Sequence, residues 1–391
     1  MGTDSEVVLI ITPALSGGSW ISIEEPMNEL VNKFEFLVAS LGPVRHKRGK
    51  FASFNIPYFD YVKAGPIISS NPLFLLLYKF PLLLLSLLLI ILYRPKIIVG
   101  NGFATTLPIA VPAKLMGSKV ICSYHGCFEY YLGNTAKKVV RILSKFVDKI
   151  IVNSDGSKVD VLSTIKTSHK ITVVKHWAHD LFFSIKCSDR SIIRQKMGLS
   201  DKFVISYVGR IDREKFIPTL IEVIKRLSIC EDFNDFYFIF VGIGEFADEI
   251  KELERKYKNV KYVGYIGDRA KLCSFYVVSD LVWSFADTTY IARPAVEALA
   301  CGTPIILPDT PSVLNKTVQN VRINHDLMPK GVGWMVSKDD VEGISELILE
   351  IKHEKVVNDA MRTRCRSYAR KEHSMKNIET VVEILNQLSK T

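Results

Sequence analysis

Short apolar runs rich in β-branched residues recur along the chain, separated by stretches of helical period. One series falls at 7–12 (VVLIIT), 35–40, 97–99, 119–122, 149–152 and 171–174. A second falls at 203–208 (FVISYV), 236–242, 260–263, 280–283, 304–307 and 334–336. Runs of this kind are strands buried on both faces, and their alternation with helices predicts parallel α/β sheets. Two series predict two doubly wound, Rossmann-like domains with a boundary near the polar stretch Lys186 to Asp201. The expected division is 1–185 and 186–375, followed by a helix over 376–390 whose apolar positions include Ile378, Val382, Leu385 and Leu388.

One stretch departs from this rhythm. Residues 73–93, LFLLLYKFPLLLLSLLLIILY, are apolar almost throughout. A spanning helix needs about 20 apolar residues, a length reached here only by including Lys79 and Pro81. Three arrangements stay open: a helix buried under the strand at 97–99, a spanning segment, and an in-plane helix partly inserted in a bilayer.

Composition narrows the partner. The chain has 391 residues, 48% hydrophobic and 24% charged, which excludes a disordered or fibrous protein and suits two globular domains. A formal net charge of +10 favours an anionic partner. The mean hydropathy of +0.16 makes the chain oily as well as basic, which points to lipid or a lipid-carrying substrate. The basic residues are not interleaved with aromatics in a nucleic-acid-binding module, so no nucleic acid is expected. Arg45, Lys47, Arg48 and Lys50 crowd one loop, and Lys137, Arg141, Lys145 and Lys149 repeat every four residues. That spacing predicts a cationic stripe on a helix whose other face carries Val139, Val140, Ile142, Leu143, Phe146 and Val147. Together with 73–93 these patches suit an anionic membrane surface. Seven scattered cysteines without a C-x-x-C pair fit a reducing cytosol, and the first residues carry neither a signal-peptide nor a myristoylation pattern. The expected place is therefore cytoplasmic, peripheral or monotopic at the inner face of a membrane.

The candidate chemistry sits in turns after strands. Ser16-Gly17-Gly18-Ser19 follows the first strand, where glycines let backbone approach a ligand, although a tight strand-to-helix turn needs glycine in any case. Gly100-Asn101-Gly102 repeats the pattern. His125, in Tyr124-His125-Gly126, stands at the carboxyl end of a strand, where ligands bind in open α/β sheets, and its ring can donate to a hydroxyl or a developing charge. In the second half, Gly209-Arg210-Ile211-Asp212-Arg213-Glu214-Lys215 precedes a helical segment, so Arg210 and Lys215 form a candidate clamp for a diphosphate. Gly242 and Gly244 form another glycine turn at the same edge. Glu297, placed near the start of a short helix ending in Gly302, could take two vicinal ribose hydroxyls or serve as a dipole partner.

The order glycine pair, YHG, VGRIDREK, VGIGE and PAVEALACGTPII resembles the retaining nucleotide-sugar glycosyltransferases of family 4, which have the GT-B fold. The resemblance covers nearly the whole chain and is strongest from Phe203 to Ile306. It implies two Rossmann-like domains facing across a cleft, acceptor in the first and UDP- or GDP-sugar in the second, with 376–391 crossing back to the first. It assigns Arg210 and Lys215 to the donor diphosphate within the Gly209, Gly242 and Gly244 turns, and Glu297 to the ribose as the second glutamate of the E-x7-E element. Gly17 and Gly18 match the glycine loop, and His125 matches the histidine near the reacting carbon. Thr289 stands where that element has its first glutamate, and Trp177-Ala178-His179-Asp180 replaces the family's Asn-Gly-Val-Asp turn. No Asp-x-Asp occurs, so neither a metal nor another cofactor is expected. The stretch from Arg94 to Gly117 also looks like the first domain of GT-B enzymes that glycosylate polyprenyl-linked acceptors. The leading expectation is a membrane-associated, metal-independent hexosyltransferase acting on a lipid-linked or other membrane-borne acceptor. Thr289 motivates one competitor, a non-catalytic nucleotide-sugar-binding scaffold, and a third reading is a GT-B epimerase acting on free nucleotide sugar, which would have no need of the apolar stretch.

Overall fold

The computed structural model describes residues 6–13, 17–41, 51–56, 72–125, 134–184, 187–286, 290–309 and 331–391. The chain divides into two compact units, residues 1–175 with 376–391 and residues 176–375. Residues 176–185, placed in the first domain on sequence grounds, thus lie with the second unit.

The sheet of the first unit is built from β1 (Glu6–Thr12), β2 (Phe34–Leu41), β3 (Ala52–Ile56), β4 (Ile97–Asn101), β5 (Lys119–Tyr124), β6 (Lys149–Val152) and β7 (Ile171–Val173). Its order is β3-β2-β1-β4-β5-β6-β7, all pairs parallel. The second unit holds β8 (Phe203–Val208), β9 (Phe236–Val241), β10 (Val260–Gly264), β11 (Leu281–Trp283), β12 (Ile305–Pro308) and β13 (Gly333–Val336). Their order is β10-β9-β8-β11-β12-β13, again all parallel. Each apolar run of the sequence forms one of these strands. Leu9, Ile11, Ile98 and Val120 are buried in the first sheet, and Ile205, Phe238, Trp283 and Ile306 in the second, because helices cover both faces. In each sheet the strand order reverses once, between β1 and β4 and between β8 and β11, and such a reversal opens a crevice beyond the carboxyl ends of the strands.

The apolar stretch forms the helix Pro72–Tyr93, which packs on β1, β2 and the helix Phe103–Leu115. Leu82, Leu89 and Ile90 join the core of the first unit, and the buried Ser86 satisfies its hydroxyl on Leu82 O at 2.6 Å. Its other side does not match a buried helix: Phe80, Leu84, Leu88, Ile91 and Leu92 are each more than half exposed. Among the described residues no helix is long and apolar enough to cross a membrane.

The expected cationic stripe is not continuous. The helix Asn134–Leu143 ends before Lys145, which lies in the single turn Ser144–Phe146, and Lys149 opens β6. A spacing of four advances about 40° per step beyond a full turn, so the row winds off one face even before the helix stops. The apolar positions divide as well: Val140 and Val147 are buried, while Val139, Ile142 and Phe146 face solvent beside the exposed Lys138, Arg141 and Lys145. The basic loop at 45–50 lies outside the described residues. The helix Lys376–Ser389 packs on the helix Gly17–Leu30 and is tied by Lys33 Nζ to Asn386 Oδ1 (2.5 Å) and by Asn377 Nδ2 to Lys175 O (3.1 Å).

Candidate functional site

The first unit carries a row of polar side chains at the carboxyl edge of its sheet. Thr12 closes β1, Asn101 closes β4, Ser123 and His125 stand at the end of β5, and Asn153 follows β6. Asn101 Nδ2 donates to Thr12 Oγ1 at 3.0 Å across the strand-order reversal. Asn153, buried at 4% exposure, donates through Nδ2 to His125 Nδ1 at 2.8 Å. That bond leaves the ring proton on Nε2, which donates it to Ser123 Oγ at 2.9 Å. His125 is therefore held in one tautomer, with Nε2–H as the group a ligand oxygen would take over. Sequence reasoning found His125, noted Asn101 only within its glycine turn, and missed Thr12, Ser123 and Asn153. The signal was the first polar residue at the end of each apolar run.

Gly17 and Gly18 begin the helix Gly17–Leu30 just beyond β1, so their amides lie in its first turn, where backbone N–H groups have no helical partner. Gly100 has a packing role, because a Cβ there would stand 2.1 Å from Thr106 Oγ1.

In the second unit the turns after β8 and β9 are zipped together. Gly209 N donates to Val241 O at 3.0 Å, Ile211 N to Ile243 O at 2.9 Å, and Arg213 N to Glu245 Oε1 at 2.9 Å. Glycine is required for this approach. A Cβ on Gly242 would lie 1.8 Å from Gly209 O, and one on Gly244 would lie 2.2 Å from Ile211 O. The space beside these two glycines is thus filled by the neighbouring turn. Gly209 itself has φ +151°, and a Cβ there would press on Tyr207 Oη at 2.9 Å.

Arg210 and Lys215 come together on the turn before the helix Ile217–Leu227. Arg210 is half exposed and pairs with Asp212 Oδ2 at 3.0 Å and Glu214 Oε2 at 2.6 Å. Asp212 also accepts from Lys215 N at 3.1 Å, and burial raises its carboxyl above the usual carboxylate range. The Lys215 ammonium makes no ion pair among the described residues. Burial, and then the charge of Arg210, hold it below the ordinary lysine range, with Asp212 and Glu214 pulling the other way. An anion placed here would relieve that strain on the charged form. Phe216, at φ +52°, caps the helix in a left-handed conformation that costs a non-glycine about 1 kcal/mol. Its ring packs edge-on against Phe285 at 6.3 Å.

Glu297 lies in the second turn of the helix Arg293–Ala300, not at its beginning, which removes the reading of a dipole partner at the helix start. Its Oε2 accepts from Tyr276 Oη at 2.9 Å. Thr289 lies outside the described residues. The turn Trp177–Asp180 is held by Arg293, which donates to Trp177 O at 2.9 Å and stands 5.2 Å over the Trp177 ring. His176 meets Tyr290 edge-on at 5.2 Å, and His179 Nδ1 accepts from Leu181 N at 3.2 Å, so both rings serve local packing.

Residues 17–177 match the model of Glycosyltransferase Family 4, and residues 189–372 match that of Glycosyl transferases group 1. No curated protein matches the chain by sequence. Among solved structures it is similar to HepE of Anabaena in complex with UDP-glucose, with TM-score 0.74 and 16% identity over 98% of this chain and 100% of that one. It is also similar to sucrose-phosphate synthase of Thermosynechococcus elongatus, with TM-score 0.72 and 16% identity over 98% and 99% of the two chains. A third is WaaG, a glycosyltransferase involved in lipopolysaccharide biosynthesis, with TM-score 0.69 and 13% identity over 97% and 99%. The two sheets with their reversal points, and the two matches that divide the chain between them, make this a GT-B-fold protein assembled from two glycosyltransferase domains.

Proposed function

We propose that the chain is a retaining, metal-independent glycosyltransferase that moves a sugar from a UDP- or GDP-sugar to a lipid-linked or other membrane-borne acceptor. The observation that carries this reading is the pair Arg210 and Lys215 on one turn, beyond the strand-order reversal of the second unit and directly before a helix N-terminus. A diphosphate leaving group gains negative charge as its bond to the sugar breaks. Two cations and first-turn amides gathered at one place can meet that charge. The acceptor oxygen bonds to the anomeric carbon on the face from which the phosphate oxygen departs, and that phosphate oxygen takes the acceptor proton. His125 Nε2–H would pass from Ser123 Oγ to a donor-sugar hydroxyl, and Glu297 would hold the ribose. HepE supports a UDP-type donor through its UDP-glucose complex, and WaaG supports a lipid-borne acceptor through its part in lipopolysaccharide biosynthesis.

Glu214 offers a direct test of the diphosphate clamp. Its carboxylate neutralises Arg210 and would repel a diphosphate, yet it is itself 61% exposed and pairs with nothing else among the described residues. Glu214→Gln should tighten UDP or GDP binding by about twofold to fivefold, the scale of an exposed ion pair. Isothermal titration of either nucleotide measures it, and unchanged or weaker binding of both would contradict the clamp.

The membrane side of the proposal rests on the exposed stripe of Phe80, Leu84, Leu88, Ile91 and Leu92, and on Val139, Ile142 and Phe146 set among cations in the same unit. Apolar side chains beside lysine and arginine suit an anionic interface, where each basic residue contributes about 1 kcal/mol. The protein should sediment with vesicles containing phosphatidylglycerol, less so as salt rises. Leu88→Glu combined with Ile142→Glu should abolish sedimentation, and wild-type behaviour of that double variant would remove this surface from the account.

A scaffold that binds nucleotide sugar without turnover remains the competing reading, favoured by Thr289 in place of the family glutamate. Transfer by purified protein alone rules it out.

A further inference from the structure

Tyr276 lies on the helix Arg269–Val278, has no exposed surface, and directs its hydroxyl to Glu297 Oε2 at 2.9 Å on the neighbouring helix. Its ring is fixed on several sides. Phe182 meets it edge-on at 6.0 Å, and the buried Cys273 and Cys301 thiols, 3.3 Å from each other, belong to the same cluster. Thr303 Oγ1 donates to Tyr276 O at 2.6 Å, which pins the backbone of the same residue. A glutamate on a helix has three side-chain torsions to settle, and a carboxylate tied at one oxygen to an immobile phenol has few of its rotamers left.

We propose that Tyr276 is a positioning residue for the donor: its buried hydroxyl holds the Glu297 carboxylate in the orientation that accepts the two ribose hydroxyls. This rests on the reading of Glu297 as the ribose-holding residue. A bidentate contact to vicinal hydroxyls depends on the angle of the carboxylate plane as well as its place, and rotation of that plane loses one of the two bonds. Burial and the charge of Glu297 keep the phenol protonated far above neutral pH, so the hydroxyl stays a donor wherever the carboxylate is charged. Tyr276 touches no ligand in this scheme, and its effect passes entirely through Glu297.

The test compares nucleotides that carry or lack the two hydroxyls. UDP, GDP and their 2′,3′-dideoxy forms are titrated against wild type, Tyr276→Phe and Glu297→Gln, with thermal unfolding as the check on fold. For the ribonucleotide that binds, both variants should weaken affinity about tenfold, the loss of a hydrogen bond to a charged group. For its dideoxy form the three proteins should agree within about twofold. In steady-state assays Tyr276→Phe should raise the donor KM by the same factor and leave kcat nearly unchanged. If Glu297→Gln loses the ribose contrast and Tyr276→Phe keeps it, the positioning role is overturned while the ribose reading stands. Equal weakening of both nucleotides in Tyr276→Phe also overturns it, since the phenol then acts through packing alone. If Glu297→Gln leaves the contrast intact, the ribose reading falls and the role of Tyr276 falls with it. Should Tyr276→Phe fail to fold, the 13Cζ resonance of Tyr276 in wild type decides. The proposal requires it to shift with the ribonucleotide and not with the dideoxy form, and identical responses to the two overturn it.

Discussion

Replacing Lys215 by alanine should lower transfer about 100-fold or more, the scale of losing one preorganised group that meets transition-state charge, while the protein melts at the wild-type temperature. The two halves of that result have separate causes. The ammonium makes no ion pair among the described residues and sits partly buried, so its removal costs the fold little. The same burial holds it below the ordinary lysine range, so a bound diphosphate gives it the partner it lacks. Arg210→Ala should be at least as damaging, because it also leaves Asp212 and Glu214 facing the diphosphate uncompensated. The pH dependence has a defined sign. A depressed lysine is charged below its own pKa, so donor affinity is fullest below that value and falls as pH rises through it, earlier than for an ordinary lysine. Lys215→Arg, whose guanidinium keeps its charge, should extend binding to higher pH. Full activity of Lys215→Ala in a transfer assay, or an alkaline limb untouched by Lys215→Arg, would contradict the assignment.

Asp280→Ala should destabilise the second unit by about 3–5 kcal/mol, the cost of breaking a buried ion pair from one side. Asp280 sits at the amino edge of the sheet, just before β11, far from the candidate chemistry on the carboxyl edge. Its Oδ2 takes Arg194 Nη1 at 3.0 Å and Val204 N at 2.9 Å, and its Oδ1 takes Arg362 Nη2 at 3.0 Å and Arg190 Nη2. One carboxylate thus joins the helices Cys187–Lys196 and Asp359–Glu372 to β8. Without it three guanidinium groups remain close together with carbonyl oxygens as their company, among them Val278 O and Ser279 O. The strain is already visible in Arg190, which burial and then the charge of Arg362 push down to about 10. Thermal unfolding should show a loss of roughly 6–20 °C for a unit of this size. A shift below about 2 °C would mean that the arginines are satisfied by carbonyls alone.

The strands were legible because a strand covered on both faces must be apolar throughout, and FVISYV or VVLIIT leaves no other reading in an α/β setting. β3 was not legible. Ala-Ser-Phe-Asn-Ile carries two polar residues in five and lies at the sheet edge, where pairing with β2 decides its conformation. The helix Pro72–Tyr93 was legible as apolar, but the division of its faces was not, since leucine stands on both the buried and the exposed side. Hydrophobic identity alone carries no direction when the whole surface has it. At the site, Arg210 and Lys215 could be brought together from sequence because they share one turn. Tyr276 and Glu297, and likewise Asn153 and His125, could not, since 21 and 28 residues separate the partners and only the fold brings them within hydrogen-bond reach. The glycine turns show the opposite limit: Gly242 and Gly244 are explained by contact with the preceding turn, and sequence alone does not tell such a contact from an approach to ligand.

The most direct measurement of the central claim is product analysis by mass spectrometry and NMR, after purified protein is incubated with a panel of UDP- and GDP-sugars and a membrane lipid extract. The account predicts one donor whose sugar appears on a lipid-borne acceptor with its anomeric configuration unchanged, in a product that the Lys215→Ala variant forms at least about 100-fold more slowly. Nucleotide binding without transfer from any donor, consumption of donor without acceptor, or a product of inverted configuration would contradict it.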